Sequence, residues 1–184
     1  MKTGARKGLQ VRVLSPPLMF IVQRLQTKEE ALRIIDFFFS EQAFRHEWAP
    51  GEKNIVKRSV LTSLKNQASH PYWFIENAEK IIGALGVKEN AYKSGGYEMT
   101  DDYFAVHEDF RKQGLGRSLF AAMEAFVLER NGRYIHIETC DIPYYEPARK
   151  FYEKNGYKQV GEMPDYFNVG EGRIDYFKKI REVT

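Results

Sequence analysis

One stretch constrains this chain more than any other: residues 103–127, in which a short apolar strand, a basic glycine-containing turn and an amphipathic helix follow one another. Phe104, Ala105 and Val106 read as the strand end. Arg111, Lys112, Gln113, Gly114, Leu115, Gly116 and Arg117 form the turn. Leu115, Leu119, Met123, Phe126 and Val127 then recur at helical spacing. A glycine turn lets backbone N–H groups approach a ligand, because no Cβ intervenes. The helix start beyond it adds unpaired N–H groups and the positive end of the helix dipole. Such a turn can cradle a phosphate, and Arg111, Lys112 and Arg117 would add full charges. Spacing alone is equally compatible with a plain strand-to-helix turn. There is no Gly-Lys-Ser/Thr, and Leu119 stands where a dinucleotide fingerprint has its third glycine.

The rest of the chain reads as alternating layers. With 184 residues it suits one domain over residues 18–184, preceded by a poorly specified basic leader at 1–17. In that leader Val11, Arg12 and Val13 could add a short strand, and Pro16 and Pro17 make a break. A first strand is expected at 18–25. Thr27 and Glu30 then form a capping box, followed by a helix with Leu32, Ile35, Phe38 and Phe39 on one face. Phe37 to Phe39 and Trp48 either join the core or line an acceptor pocket. A second helix is expected at 55–68, and strands at 72–76 and 80–88 make a hairpin. Gly83 and Gly86 in the second of these suggest a bulge or a close backbone approach. A strand at 97–106 leads into the helix at 114–131, which Asn131 and Gly132 end. A strand at 134–140, a helix at 144–155 and strands at 157–162 and 174–180 complete the order β-α-α-β-β-β-α-β-α-β-β. The fold class is therefore α/β of the α+β type, a mixed, mostly antiparallel twisted sheet of about six to seven strands flanked by about four helices.

Composition narrows the function. The net charge of +3 comes from dispersed basic residues, which argues against a nucleic-acid partner. No apolar run is long enough for a membrane span or a signal-peptide core. The single cysteine, Cys140, excludes a disulfide framework and a cysteine-based metal site, and suits a reducing cytoplasm. No metal site is expected.

Arg111-x-x-Gly114-x-Gly116, preceded by Ala105-Val106-His107, resembles the signature of the GNAT superfamily of acyl-CoA-dependent N-acyltransferases. Ala148-x-x-Phe151-Tyr152-Glu153-Lys154-x-Gly156-Tyr157 resembles the family's later motif. The two stand in the family's order, and the resemblance spans residues 20–181, by pattern only in the first half. It implies acetyl transfer from acetyl-CoA, as co-substrate, to a primary amine of a small molecule or peptide, by direct attack in a ternary complex. A non-catalytic acyl-CoA-binding or sensor module of the same fold is the alternative. A homodimer is compatible with either.

The resemblance also implies site residues. The coenzyme would lie along Phe104, Ala105 and Val106, on Arg111 to Ser118, and near Tyr145 and Tyr152. Tyr152 is the expected acid for the leaving thiolate, since a phenol stays protonated and can donate. Asp102 and then Glu98 are the expected bases; both share a strand face with Thr100. Either could act through water or simply attract a cationic amine. Glu138 is a third carboxylate, which pairing with His136 or an arginine would explain equally well. Two departures stand out. Tyr145 fills a slot where the family commonly has asparagine. The stretch from Asp165 to Gly172 resembles an acceptor loop of some bacterial members, or is a hairpin turn.

Overall fold

Residues 20–181 are described by a computed structural model. The leader at 1–17 and its expected strand at Val11 to Val13 lie outside the described residues.

The capping box forms as expected. Thr27 caps α1 (Lys28–Phe38), its hydroxyl accepting the Glu30 N–H at 3.2 Å while the Glu30 carboxylate accepts the Thr27 N–H at 2.9 Å. The second helix, α2 (Glu52–Ser63), starts three residues earlier than its apolar pattern suggests and stops sooner. Gly51, at φ +86°, turns the chain, and the Glu52 carboxylate accepts the Ala49 N–H at 2.9 Å. The other helices are α3 (Leu115–Glu129) and α4 (Glu146–Lys154), the latter preceded by a 3-10 turn at Pro143–Tyr145.

The strands divide between two sheets. β1 (Val22–Arg24), β2 (Tyr72–Asn77), β3 (Lys80–Gly86) and β6 (Phe104–Val106) form an antiparallel sheet in that order. β4 (Lys88–Glu89), β5 (Gly96–Met99), β7 (Tyr134–Cys140), β9 (Glu171–Lys179) and β8 (Lys158–Asn168) form the other, with β5 and β7 parallel. Seven expected strands become nine because two of them break at one place. Leu85 pairs with Phe104, and Lys88 with Glu98. A step of three residues on one strand therefore faces a step of six on the other, so residues 100–103 form a kink. That kink carries the chain from the second sheet into the first.

The kink opens a cleft. β7 is paired with β5 only from Tyr134 to Ile137, while β9 pairs with all of β7 to Cys140. Among the described residues β6 pairs with β3 alone. Beyond Met99 and Ile137, β6 and β7 therefore diverge, each with one unpaired edge.

Two apolar clusters hold this frame. Trp73 and Ile75 of β2 face α3, whose Leu115, Leu119, Phe120, Met123, Phe126 and Val127 are buried with Ile135 and Ile137 of β7. Tyr72 and Phe74 point the other way, under α1 and α2. Gly86 is the expected close approach: a Cβ there would fall inside the Tyr72 ring's van der Waals envelope. Asn131, at φ +57°, ends α3, and the Gly132 N–H returns to Val127 O at 2.8 Å. The last two strands run further than expected, so Asp165, Tyr166 and Phe167 lie in a long hairpin that turns at Val169 and Gly170.

Candidate active site

The cleft leads from the kink to the start of α3. On β6, the Tyr103 carbonyl accepts Gly86 N–H at 3.1 Å, and the His107 N–H donates to Ile82 O at 2.9 Å. Antiparallel pairing alternates, so Ala105 and His107 direct their amides to β3. The amides of Phe104 and Val106 consequently face the cleft. At its far end Gly114, at φ +89°, caps α3 with no side-chain hydrogen bond. Ser118 N–H is bonded to Gly114 O at 3.0 Å, which leaves the N–H groups of Leu115, Gly116 and Arg117 as the uncapped first turn. A Cβ built on Gly114 meets nothing within 4 Å, so the turn is open. Gly116 serves a different need. Its missing Cβ leaves room for Phe104 and Phe151, whose rings stack at 5.5 Å beneath the helix start.

The basic residues of the turn divide in two. Lys112 and Arg117 are exposed. Arg111 folds back, donating from Nε to Val106 O at 3.2 Å and from Nη2 to Ala43 O at 3.4 Å. Gln113 donates to Asp109 O at 3.1 Å, and the Ser118 hydroxyl turns to Gly114 O at 3.3 Å.

Tyr152 projects from α4 into a group of rings, 5.9 Å from Phe120, 6.4 Å from Tyr157 and 5.6 Å from Tyr176. Burial, with a smaller contribution from Tyr176, pushes its phenol well above the ordinary range. It is therefore a proton donor throughout neutral pH. Tyr145 lies just ahead of α4, its hydroxyl 3.3 Å from His46 Nδ1. Burial, then the charge of Glu52, raises its phenol strongly as well.

The strand carboxylates lie in separate surroundings. Asp102 is sealed under α2. Its Oδ1 accepts the Ser59 hydroxyl at 2.5 Å and lies 2.7 Å from His70 Nε2, while Oδ2 is buried with no hydrogen-bond partner. Ser59 also sits 3.0 Å from the Tyr72 hydroxyl, which burial and then the Asp102 charge push far upward. Glu98 is 3.9 Å from Lys88, whose ammonium is also 2.9 Å from Asp101. Burial alone would lower the Lys88 pKa, but Asp101 and its acidic neighbours reverse this to a net rise. Glu138 pairs with Arg173 at 3.0 Å, and His136 with Asp175 at 2.6 Å. Burial raises the Glu138 carboxyl against the pull of Arg173. His136, Glu138 and Asp175 lie close enough together to share a cation, and the Arg173 guanidinium supplies that charge.

The mouth also gathers His46, Glu52 and Tyr103, which sequence reasoning missed, beside aromatic residues that it had raised as core or pocket lining. Phe37 and Phe38 are core, whereas Phe39 and Trp48 are half-buried and meet edge to face at 5.3 Å. Trp48 is 4.5 Å from His46 and 6.2 Å from Tyr103. The Tyr103 hydroxyl donates to Glu52 Oε1 at 2.9 Å, and that oxygen is 3.6 Å from His46 Nε2. His46 and Glu52 flank the Pro50-Gly51 break. That spacing was visible in the sequence, but nothing there indicated that the loop reaches across to Tyr145.

The chain is similar to known proteins in sequence and in fold. Residues 68–159, half of the chain, match the family model described as the acetyltransferase (GNAT) domain. A GNAT-family acetyltransferase structure from Desulfovibrio desulfuricans superposes with a TM-score of 0.76 at 22% identity, covering 89% of this chain and 100% of that one. An aminoglycoside 6'-N-acetyltransferase solved with coenzyme A gives 0.71 at 18% identity over 89% and 99%. The ribosomal-protein-S18-alanine N-acetyltransferase from Escherichia coli gives 0.65 at 16% identity over 90% and 97%. At these identities the likeness is one of fold. No curated protein matches the sequence.

Proposed function

The chain belongs to the GNAT family of acetyltransferases, and on that premise we propose that it transfers an acetyl group from acetyl-CoA to a primary amine of a small molecule or peptide, by direct attack in a ternary complex. The observation that carries this reading is the outward amides of Phe104 and Val106 on a strand that leads, through one turn, into the open, uncapped start of α3. When bound, acetyl-CoA supplies the activated acetyl group. The path suits it: an amide edge can pair with an extended pantetheine arm as it would with another strand. The N–H groups of Leu115, Gly116 and Arg117, with Lys112 and Arg117 nearby, suit its pyrophosphate.

Within this reading Tyr152 donates the proton that the departing thiolate needs, since burial keeps its phenol protonated. Asp102 and Glu98, the strand carboxylates expected as bases, are proposed in the other role open to them: they hold the negative potential that draws in a cationic amine. Their surroundings support this, because Glu98, Asp101 and Asp102 together outnumber the ammonium of Lys88 beside them. The names of the solved aminoglycoside and ribosomal-protein acetyltransferases support an amine acceptor. A cytoplasmic location fits the single free thiol, Cys140, and no helix among the described residues is long and apolar enough to cross a membrane.

The test is thiol release from acetyl-CoA over a panel of cationic and peptide amines, with wild type and Tyr152→Phe. Turnover that falls about 100-fold or more in Tyr152→Phe, with acetyl-CoA affinity kept, supports transfer with Tyr152 as acid. Binding without turnover on any amine would instead identify an acyl-CoA sensor.

A further inference from the structure

The loop between α1 and α2 reaches across the cleft mouth to the residues before α4. Arg45 N–H donates to the Tyr144 hydroxyl at 2.7 Å, and the Arg45 guanidinium turns away to Glu108 at 2.5 Å. One residue on, His46 sits between two oxygens: Tyr145 OH at 3.3 Å from Nδ1, and Glu52 Oε1 at 3.6 Å from Nε2. The ring is clamped by Trp48 at 4.5 Å and Phe44 at 5.4 Å, and Nε2 is buried without a hydrogen bond of its own. Glu52 is fixed from two further directions, by the Ala49 amide and the Tyr103 hydroxyl.

We propose that Tyr145, backed by His46 and Glu52, takes the proton from the attacking amine. The proposal rests on the acetyl-transfer reading above. It also gives a use to the departure at position 145, where the family commonly has asparagine.

The chemistry follows from which atoms face each other. Burial works against a charged Glu52, but the contacts from His46, the Ala49 amide and Tyr103 outweigh it, so the carboxyl is held below its ordinary range. A charged carboxylate beside Nε2 favours the neutral imidazole with its hydrogen there. That leaves the Nδ1 lone pair for the Tyr145 O–H. A buried phenol is by itself a poor proton acceptor. It becomes one when its own proton can move to Nδ1 in the same step, because Glu52 then stabilises the imidazolium. The Tyr145 phenol is also sensitive to Cys140, at the end of β7 that β5 does not reach, and to Tyr152. Of the other groups near the mouth, Tyr103 donates to Glu52, the Tyr144 hydroxyl accepts the Arg45 N–H, and the Arg45 guanidinium is engaged by Glu108.

The balance is simple. The amine nitrogen bonds to the acyl carbon and the carbon–sulfur bond breaks. The amine gives a first proton to solvent and attacks uncharged, and its second proton passes to Tyr145 as the Tyr145 proton passes to His46 Nδ1. The departing sulfur takes the Tyr152 proton, and the proton on His46 returns through solvent to Tyr152. Amine and thioester become amide and thiol, with every group of the protein restored. Tyr145 is the catalytic residue here; His46 and Glu52 are positioning residues that act through it.

Nitrogen-15 NMR of the full chain, without ligand, reads the first element. Neutral His46 should carry its hydrogen on Nε2, and Tyr145→Phe should perturb the Nδ1 signal. Kinetics read the second. His46→Gln and Tyr145→Phe should each lower kcat about 100-fold and abolish the rising limb of the pH–rate profile, and His46→Gln should leave the acetyl-CoA Kd unchanged. The double variant should be little worse than either single one, since the two act as a unit. A neutral His46 protonated on Nδ1 overturns the proposal, as does a His46→Gln enzyme with the wild-type pH profile. Wild-type protein that acetylates no amine would instead remove the acetyl-transfer reading, and this proposal with it.

Discussion

Replacing Asp102 by alanine separates the two things a carboxylate at the kink can do. Its side chain is fully buried, and one oxygen serves both Ser59 and His70. Removing one partner of a buried pair typically costs roughly 3–5 kcal/mol. Two features of this site reduce that figure. Ser59 Oγ remains 3.2 Å from His70 Nε2 and 3.0 Å from the Tyr72 hydroxyl, so neither is abandoned. Oδ2 is buried without a partner, and deleting it relieves a penalty of about 1–3 kcal/mol. The net loss should be about 2 kcal/mol. For a chain of this size that lowers Tm by roughly 4–8 °C. Urea unfolding followed by circular dichroism should show a lower midpoint with an unchanged m value. The control is Asp101→Ala at the next residue, whose half-exposed carboxylate meets Lys88 at 2.9 Å. That surface pair should be worth less than about 1 kcal/mol. If the two variants unfold at the same urea concentration, the buried network contributes nothing particular and the reasoning fails.

Two further outcomes follow from the packing and the charges. Gly86→Ala drives a methyl into the fully buried Tyr72 ring, so urea unfolding should show a loss of at least about 1–3 kcal/mol. The folded-state pKa of Glu52 lies below its ordinary 4.5, so its contribution to stability is present above that value and is lost as pH falls through the lower, folded value. The stability gap between wild type and Glu52→Gln should therefore be constant near neutrality and shrink below about pH 4.5, as followed by urea titrations at stepped pH.

Sequence reasoning reached furthest where local chemistry decides the structure. The Thr27 capping box, the Asn131-Gly132 helix end and the strand at Tyr134–Cys140 needed only hydrogen-bond and periodicity arguments, and all three are present. The turn at 111–114 and the helix after it were equally legible, because glycine placement and apolar spacing fix them. The kink at residues 100–103 was not. Its cause is a change of pairing partner, from β7 to β3, and no local pattern records which strands will be neighbours. For the same reason Asp102 could be put on a strand face but not under α2 beside Ser59 and His70. Arg111 reads as a phosphate contact from its position, yet its hydrogen bonds run to Val106 and to Ala43, which is 68 residues earlier. At residues 165–172 the sequence left open an acceptor loop or a hairpin turn, and the structure has a hairpin whose pairing is irregular between Met163 and Asn168.

The most direct test is a calorimetric titration of the wild-type protein with acetyl-CoA, repeated with Lys112 and Arg117 both changed to alanine. Both side chains are exposed, and among the described residues neither shapes the turn through a side-chain hydrogen bond, so the variant should fold normally. Micromolar binding to the wild type is expected, weakened about tenfold or more in the double variant. A wild-type protein that binds no acetyl-CoA would contradict it, and would leave the open start of α3 as a strand-to-helix turn and nothing more.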